Sequence, residues 1–212
     1  MYFRLVNHYP AMGQANNLRS LLEERVRGEN SSGASRSALL QELLGSEPML
    51  TQAVQHEDFA AWEAHTARIG RDENFQAIAL KMQPTMSRAQ TQELHNVVFR
   101  ETSNKAANYL WAPGFLPAPG KGPELSRLLE ARARTAIGRG AATASLLTRL
   151  YGPADAATIM TAYTFPDLAA LEAFQKGIQT MPEAPGFAAA LQALAQPQGA
   201  RLFRVLVPFP SQ

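Results

Sequence analysis

Four histidines, His8, His56, His65 and His95, are the side chains of this 212-residue sequence best suited to proton chemistry near neutral pH. A neutral imidazole within hydrogen-bond reach of a phenol or an enol can act as its general base, so His8, His56 and His95 are candidate catalytic residues. Asn7, Tyr9, Trp62 and His65 from the first half of the chain, with Trp111 and Tyr163 from the second, are candidate substrate-binding residues. Together they supply flat rings and a few polar groups, the lining expected around an electron-rich aromatic molecule. The competing reading of the same residues is a core packed with rings. No two histidines have the close spacing of a metal-binding helix and carboxylates do not cluster around them, so no metal is expected. The absence of cysteine removes disulfides, thiol catalysis and thiolate ligands. Gly120-Lys121-Gly122 lacks the phosphate-loop pattern, and neither a dinucleotide fingerprint nor a nucleophile elbow occurs. No cofactor is expected.

The background to these residues is plain. Hydrophobic residues make up 46% and charged residues 18%, a balance that supports a folded core. A net charge of +2, well interspersed, argues against a nucleic-acid partner. The arginines at 127, 132, 134 and 139 lie among Glu124 and Glu130 and read as a solvated helix face. Apolar runs are too short to span a bilayer and the first residues do not form a signal peptide, so no membrane partner and a cytoplasmic location are expected.

The elements that must position the histidines come in two copies. Adding 107 takes Pro10 to Pro117, Gly13 to Gly120, Leu18 to Leu125, Leu22 to Leu129, Glu23 to Glu130, Leu39 to Leu146 and Gly45 to Gly152. An insertion of two residues near Phe165 changes the offset to 109, taking Asp58 to Asp167, Glu63 to Glu172 and Ile69 to Ile178; Leu94 and Val97 then match Leu202 and Val205 at 108. A repeat of this length defines the fold, and it divides the chain into residues 1–104 and 105–212. In this register His8 stands opposite Phe115, His56 opposite Tyr163, His65 opposite Phe174 and His95 opposite Phe203.

Both copies show one order of elements. A short strand (3–9; 109–115) precedes leucines at helical spacing, which predict a helix ended by Gly28 and Gly33 in one copy and by Gly138 and Gly140 in the other. Two strands follow as a hairpin, 37–44 with 49–55 and 144–151 with 157–164. Asp58 and Asp167 open a second helix. A short third helix (73–81; 186–195) precedes the last strand (93–99; 201–207). The Pro- and Gly-rich stretch from Ala112 to Pro123 reads as a connector. Each copy is thus an α+β, ferredoxin-like β-α-β-β-α-β unit. Its antiparallel sheet has helices on one face and apolar residues on the other, so the two sheets are expected to pack face to face.

Pro10, Gly13, Leu18, Leu21, Leu22, Glu23 and the Asp58-Phe59-Ala60-Ala61-Trp62-Glu63 helix start, with their second-copy partners, resemble the dimeric α/β-barrel superfamily. The likeness is to its NIPSNAP-like and antibiotic-biosynthesis-monooxygenase-like branches, here as a tandem duplication forming an intrachain α/β barrel. The resemblance implies a cavity between helices and sheet that takes a small, often aromatic or oxidised molecule, and an activity of the cofactor-independent monooxygenase kind. A non-catalytic binding or protein-interaction module is the alternative. Because the fusion already supplies one barrel interface, a monomer or a homodimer is expected.

Overall fold

The computed structural model describes residues 1–32, 36–45, 47–103, 105–153 and 158–210. Gly33, Ala157 and the repeat boundary at Asn104 lie outside these residues. Eight strands and six α-helices are present among them. The first copy holds β1 (Tyr2–His8), α1 (Ala15–Ser31), β2 (Arg36–Glu42), β3 (Leu50–His56), α2 (Phe59–Ile69), α3 (Glu73–Met82) and β4 (Thr91–Thr102). The second repeats the order as β5 (Tyr109–Pro117), α4 (Gly122–Ala136), β6 (Thr143–Tyr151), β7 (Ile159–Phe165), α5 (Leu168–Gln179), α6 (Ala184–Leu194) and β8 (Ala195–Val207). The fold is α+β, and the strands close into a barrel in the order β1-β3-β2-β8-β5-β7-β6-β4. By compactness the chain divides into Met1–His95 with Tyr151–Pro153 and Arg204–Gln212, and Asn96–Leu150 with Ala154–Phe203. The division runs inside β4 and β8, each of which begins in one unit and ends in the other.

In the first unit, Leu18, Leu22, Val26 and Glu29 recur at helical spacing and all lie on the buried stripe of α1. The three apolar residues pack on Leu39 of β2 and Leu50 of β3, with Ile78 and Met82 of α3. Side chains alternate between faces along a strand. Ser37, Leu39, Leu50 and Gln52 therefore point at the helix, and Thr51 and Ala53 point away. In the second unit Leu125 and Leu129 of α4 meet Leu146 and Ile159, and Ala133 and Ala136 meet Tyr163, Phe165 and Phe174.

Local signals explain most boundaries. The Asp58 and Asp167 carboxylates accept from the backbone N–H groups of Ala61 and Ala170, both at 2.7 Å, capping α2 and α5. Gly13 and Gly120 occupy matching turns with φ of 75° and 74°, a conformation that side chains disfavour. Gly28, however, does not end α1. It lies inside the helix, facing the Phe75 ring of α3 at a distance where a Cβ would make an ordinary contact of 3.5 Å. β5, expected over 109–115, runs on to Pro117 and so takes up the first half of the Ala112–Pro123 stretch that also read as connector.

Strand pairing also corrects the repeat register. Tyr2 pairs with His56 in one copy and Tyr109 with Phe165 in the other. Ser37 pairs with Val54 where Ala144 pairs with Tyr163. The insertion therefore falls in the hairpin loop before β7, and the residue opposite His56 is Phe165, not Tyr163.

Candidate functional site

The four histidines are each 3% exposed or less, and they occupy three places in the first unit. His56 at the end of β3 and His65 on α2 meet edge to face with ring centroids 5.2 Å apart, and Trp62 of α2 lies over His56 at 6.3 Å. His8 sits at the other end of β1 from Tyr2, the partner of His56, about 20 Å along the strand at 3.3 Å per residue. His95, on β4, is paired through Nε2 with Glu93 Oε2 at 3.1 Å.

His8 and His95 do not come together, because strand parity separates them. The Asn7 side-chain amide donates to Glu93 Oε1 (3.2 Å) and Thr91 Oγ1 (3.3 Å), and its oxygen accepts from Thr51 Oγ1 (2.8 Å). The Tyr9 hydroxyl bonds Thr91 Oγ1 at 3.0 Å, with the Arg88 guanidinium 3.7 Å from the Tyr9 ring centroid. Asn7, Tyr9, Thr51, Thr91, Glu93 and His95 thus share the sheet face away from the helices. His8, next to Asn7 in sequence, points to the opposite face.

The helix-facing side contains a polar centre that the sequence reading did not single out. Glu29 of α1, fully buried, accepts from Arg25 Nε on Oε1 (3.2 Å), and from Ser37 Oγ (2.5 Å) and Gln52 Nε2 (2.7 Å) on Oε2. Its carboxylate, Arg4 and Arg25 all act electrostatically on His65. Arg68 of α2 places a guanidinium nitrogen 3.4 Å from His65 Nδ1 and also bonds Ser32 Oγ. Burial pushes His56 and His65 each down to about 4, opposed by the Glu29 charge and assisted by Arg4. Burial, with Arg25 and Arg4, takes His8 to about 3. All three are neutral at pH 7. Among the described residues, Nε2 of His56, Nε2 of His65 and both ring nitrogens of His8 have no hydrogen-bond partner within the chain.

The second copy treats the same positions as core. In the corrected register Arg4, Glu29, Ser37, His56, Trp62, His65 and Arg68 correspond to Trp111, Ala136, Ala144, Phe165, Leu171, Phe174 and Gly177. Trp111 stacks on Tyr163 at 5.7 Å and meets Phe174 at 6.3 Å, within an apolar cluster that includes Phe165. Burial raises the Tyr163 phenol above its usual value. Trp111 and Tyr163 are thus ring-packed there.

Two surface grooves complete the picture, and neither is lined by histidine. One of about 540 Å³ runs along α2, lined by Ala64, Ala67, Arg68, Arg71 and Asp72. The other, about 350 Å³, lies between α5 and α6 and includes Arg132 and Phe187. Among the described residues no group of three or more His, Cys, Asp or Glu is placed to hold a metal ion, and no helix is long and apolar enough to cross a membrane.

No protein-family model and no curated protein matches the sequence. Solved structures do match over its length. A provisionally named monooxygenase from Fusobacterium nucleatum subsp. nucleatum superposes with a TM-score of 0.72 at 9% identity, covering 100% of this chain and 97% of the other. A second from Lactobacillus acidophilus gives 0.68 at 8% identity, covering 99% of each. An anthrone oxidase-like protein gives 0.63 at 13% identity, with 100% and 94% covered. At such identities the likeness establishes the fold alone: an α+β chain whose eight strands close into one barrel.

Proposed function

We propose that this protein binds a small aromatic or oxidised molecule in the helix–sheet interior of its first copy, and acts on it as a cofactor-independent, monooxygenase-like enzyme. The observation that carries this reading is the contrast between copies: buried His56, His65 and Glu29, with half-buried Arg4, stand where the second copy has Phe165, Phe174, Ala136 and Trp111. Buried polar groups without partners cost stability, and their retention at one site of a duplicated scaffold points to use. The monooxygenase-named and anthrone oxidase-like neighbours support the same chemistry. A neutral His56 accepts the proton of an enol or phenol, while His65, whose Nδ1 faces the donating Arg68 guanidinium, presents an N–H at Nε2 and with the nearby guanidiniums stabilises the anion. In such a reaction an activated methylene carbon gives four electrons to dioxygen. One oxygen atom stays as the carbonyl and the other leaves as water, so no external reductant is needed. His8 lies farther along the same sheet face, within reach of the charges of Arg4 and Arg25, and His95 lies on the opposite face.

We place the protein in the cytoplasm, as a monomer or homodimer of two repeats, 1–104 and 105–212, with no nucleic-acid partner. A non-catalytic binding module is the second reading, favoured by the burial of all four histidines away from both grooves. Anthrone serves as the probe, in a Trp111→Phe background that leaves Trp62 as the reporter. Saturable quenching of Trp62 with oxygen uptake, both lost in His56→Phe/His65→Phe, is the expected result. Quenching without oxygen uptake supports the binding module. Quenching that survives the double substitution overturns the site.

A further inference from the structure

The chemistry of the first copy's interior also specifies the charge of what it takes. We propose that its ligand is an aromatic oxyanion, a planar ring bearing a carboxylate or enolate, drawn in from the α2 groove past Arg68. This rests on the site assigned above and adds the charge and the route.

Three guanidiniums, Arg4, Arg25 and Arg68, and one carboxylate, Glu29, act on His65. Glu29 is already engaged on both oxygens by Arg25, Ser37 and Gln52. Its charge is thus committed to Arg25, and Arg4 and Arg68 are left without a carboxylate among these groups. The histidines, neutral, add none. Both arginines are half-buried, each with its Nε shielded from solvent, and an anionic ligand relieves the cost of that partly desolvated charge.

The donor set fits an oxyanion as well. Arg4 Nε and Arg68 Nε have no partner within the chain, and neither have the Nε2 atoms of His65, 1% exposed, and His56, 3% exposed. A guanidinium presents a planar fork matched to two oxygens, and the flat faces of Trp62 and His56 suit an aromatic ring. Access follows from Arg68. One of its nitrogens touches His65 while the residue also lines the α2 groove with Ala64, Ala67, Arg71 and Asp72. The groove is net cationic, with Arg68 and Arg71 against the single carboxylate of Asp72, which caps the start of α3 through the N–H groups of Asn74 and Phe75. In the second copy Arg4 and Arg68 become Trp111 and Gly177, so both uncommitted charges vanish together with the histidines.

The test compares 2-naphthoate with its neutral isostere 2-naphthamide, by Trp62 quenching in the Trp111→Phe background. The carboxylate is expected to bind at least about tenfold tighter, as a charge-assisted hydrogen bond implies. That preference should shrink as salt rises. Arg68→Gln, and independently Arg4→Gln, should weaken naphthoate about tenfold and naphthamide by clearly less, because only the carboxylate loses a charge partner. Equal affinity for acid and amide, or a preference untouched by both arginine variants, overturns the oxyanion assignment and leaves the site standing. If neither probe binds, or both bind His56→Phe/His65→Phe as well as the parent, site and assignment fall together.

Discussion

One architecture, built twice, has been filled in two ways. Beneath α5 the second copy packs Phe165, Phe174 and Tyr163 against Ala133, Ala136 and Ala144, a core of rings against small residues. Beneath α2 the first copy has His56 and His65, with Glu29 bonded to Ser37 and Gln52 where Ala136 and Ala144 would pack. Both helices begin with the same aspartate cap, so the difference is not one of scaffold. It teaches that the architecture needs filled volume at these positions and does not need polarity. The polarity of the first copy therefore calls for a reason beyond folding.

Moving that polarity into the second copy should break it. Ala136→Glu places a carboxylate among Tyr163, Phe165 and Phe174, with Ala144 where Ser37 stands and the shorter Thr161, already engaged with Tyr163, where Gln52 stands. A loss of roughly 5 kcal/mol, enough to prevent folding, is expected by urea denaturation. The reverse exchange, Glu29→Ala, strands Arg25, Ser37 and Gln52 without their acceptor. It should cost roughly 3 kcal/mol by the same measurement.

Acid should separate the copies next. His8, His56 and His65 have folded values lowered to about 3, 4 and 4, below the ordinary imidazole value of 6.5. Their neutral folded forms are fully favoured above pH 6.5. As pH falls below 6.5 the unfolded chain takes up protons that the folded chain refuses, and stability declines toward pH 4. The decline is roughly 1 kcal/mol per pH unit for each histidine. His56→Phe/His65→Phe should remove about two thirds of the histidine share of that slope, read as the difference between parent and variant across this window. The smallest effect concerns the same variant at pH 7.5. Exchanging two incompletely bonded imidazoles for the rings used by the second copy should leave stability unchanged or raise it by about 1 kcal/mol, while ligand binding is lost.

The fold was legible because its signals are local and doubled. Leucine spacing, aspartate caps and alternating strands each occur twice, and agreement between copies confirmed the order of elements. The Pro113-containing stretch misled as a connector because prolines and glycines dominate it, while the strand that contains it is set by pairing with β7. The register of His56 slipped because a loop insertion leaves no mark inside the strand that follows it. At the site, His56, His65 and Trp62 were found through their ring chemistry. Glu29 was not, since it sits among Glu23, Glu24, Arg25 and Arg27 and reads as solvent-facing. Its spacing from Leu18, Leu22 and Val26 was the available signal, and so was Ala136 opposite it. Arg4 and Arg68 were hidden likewise, each a single charge whose role depends on which face of its element it occupies. His8 and His95, both candidates for catalysis, are kept apart on the same ground: adjacent strands do not bring two side chains together unless their parity agrees.

Nuclear magnetic resonance of the labelled protein, titrated with 2-naphthoate, tests most directly that the first copy alone holds a ligand site. Shifts concentrated on the imidazoles of His56 and His65 and the indole of Trp62, with Trp111 and Phe174 unmoved, are the predicted result. Shifts centred on Trp111, Tyr163 and Phe174, or spread equally over both copies, would contradict it.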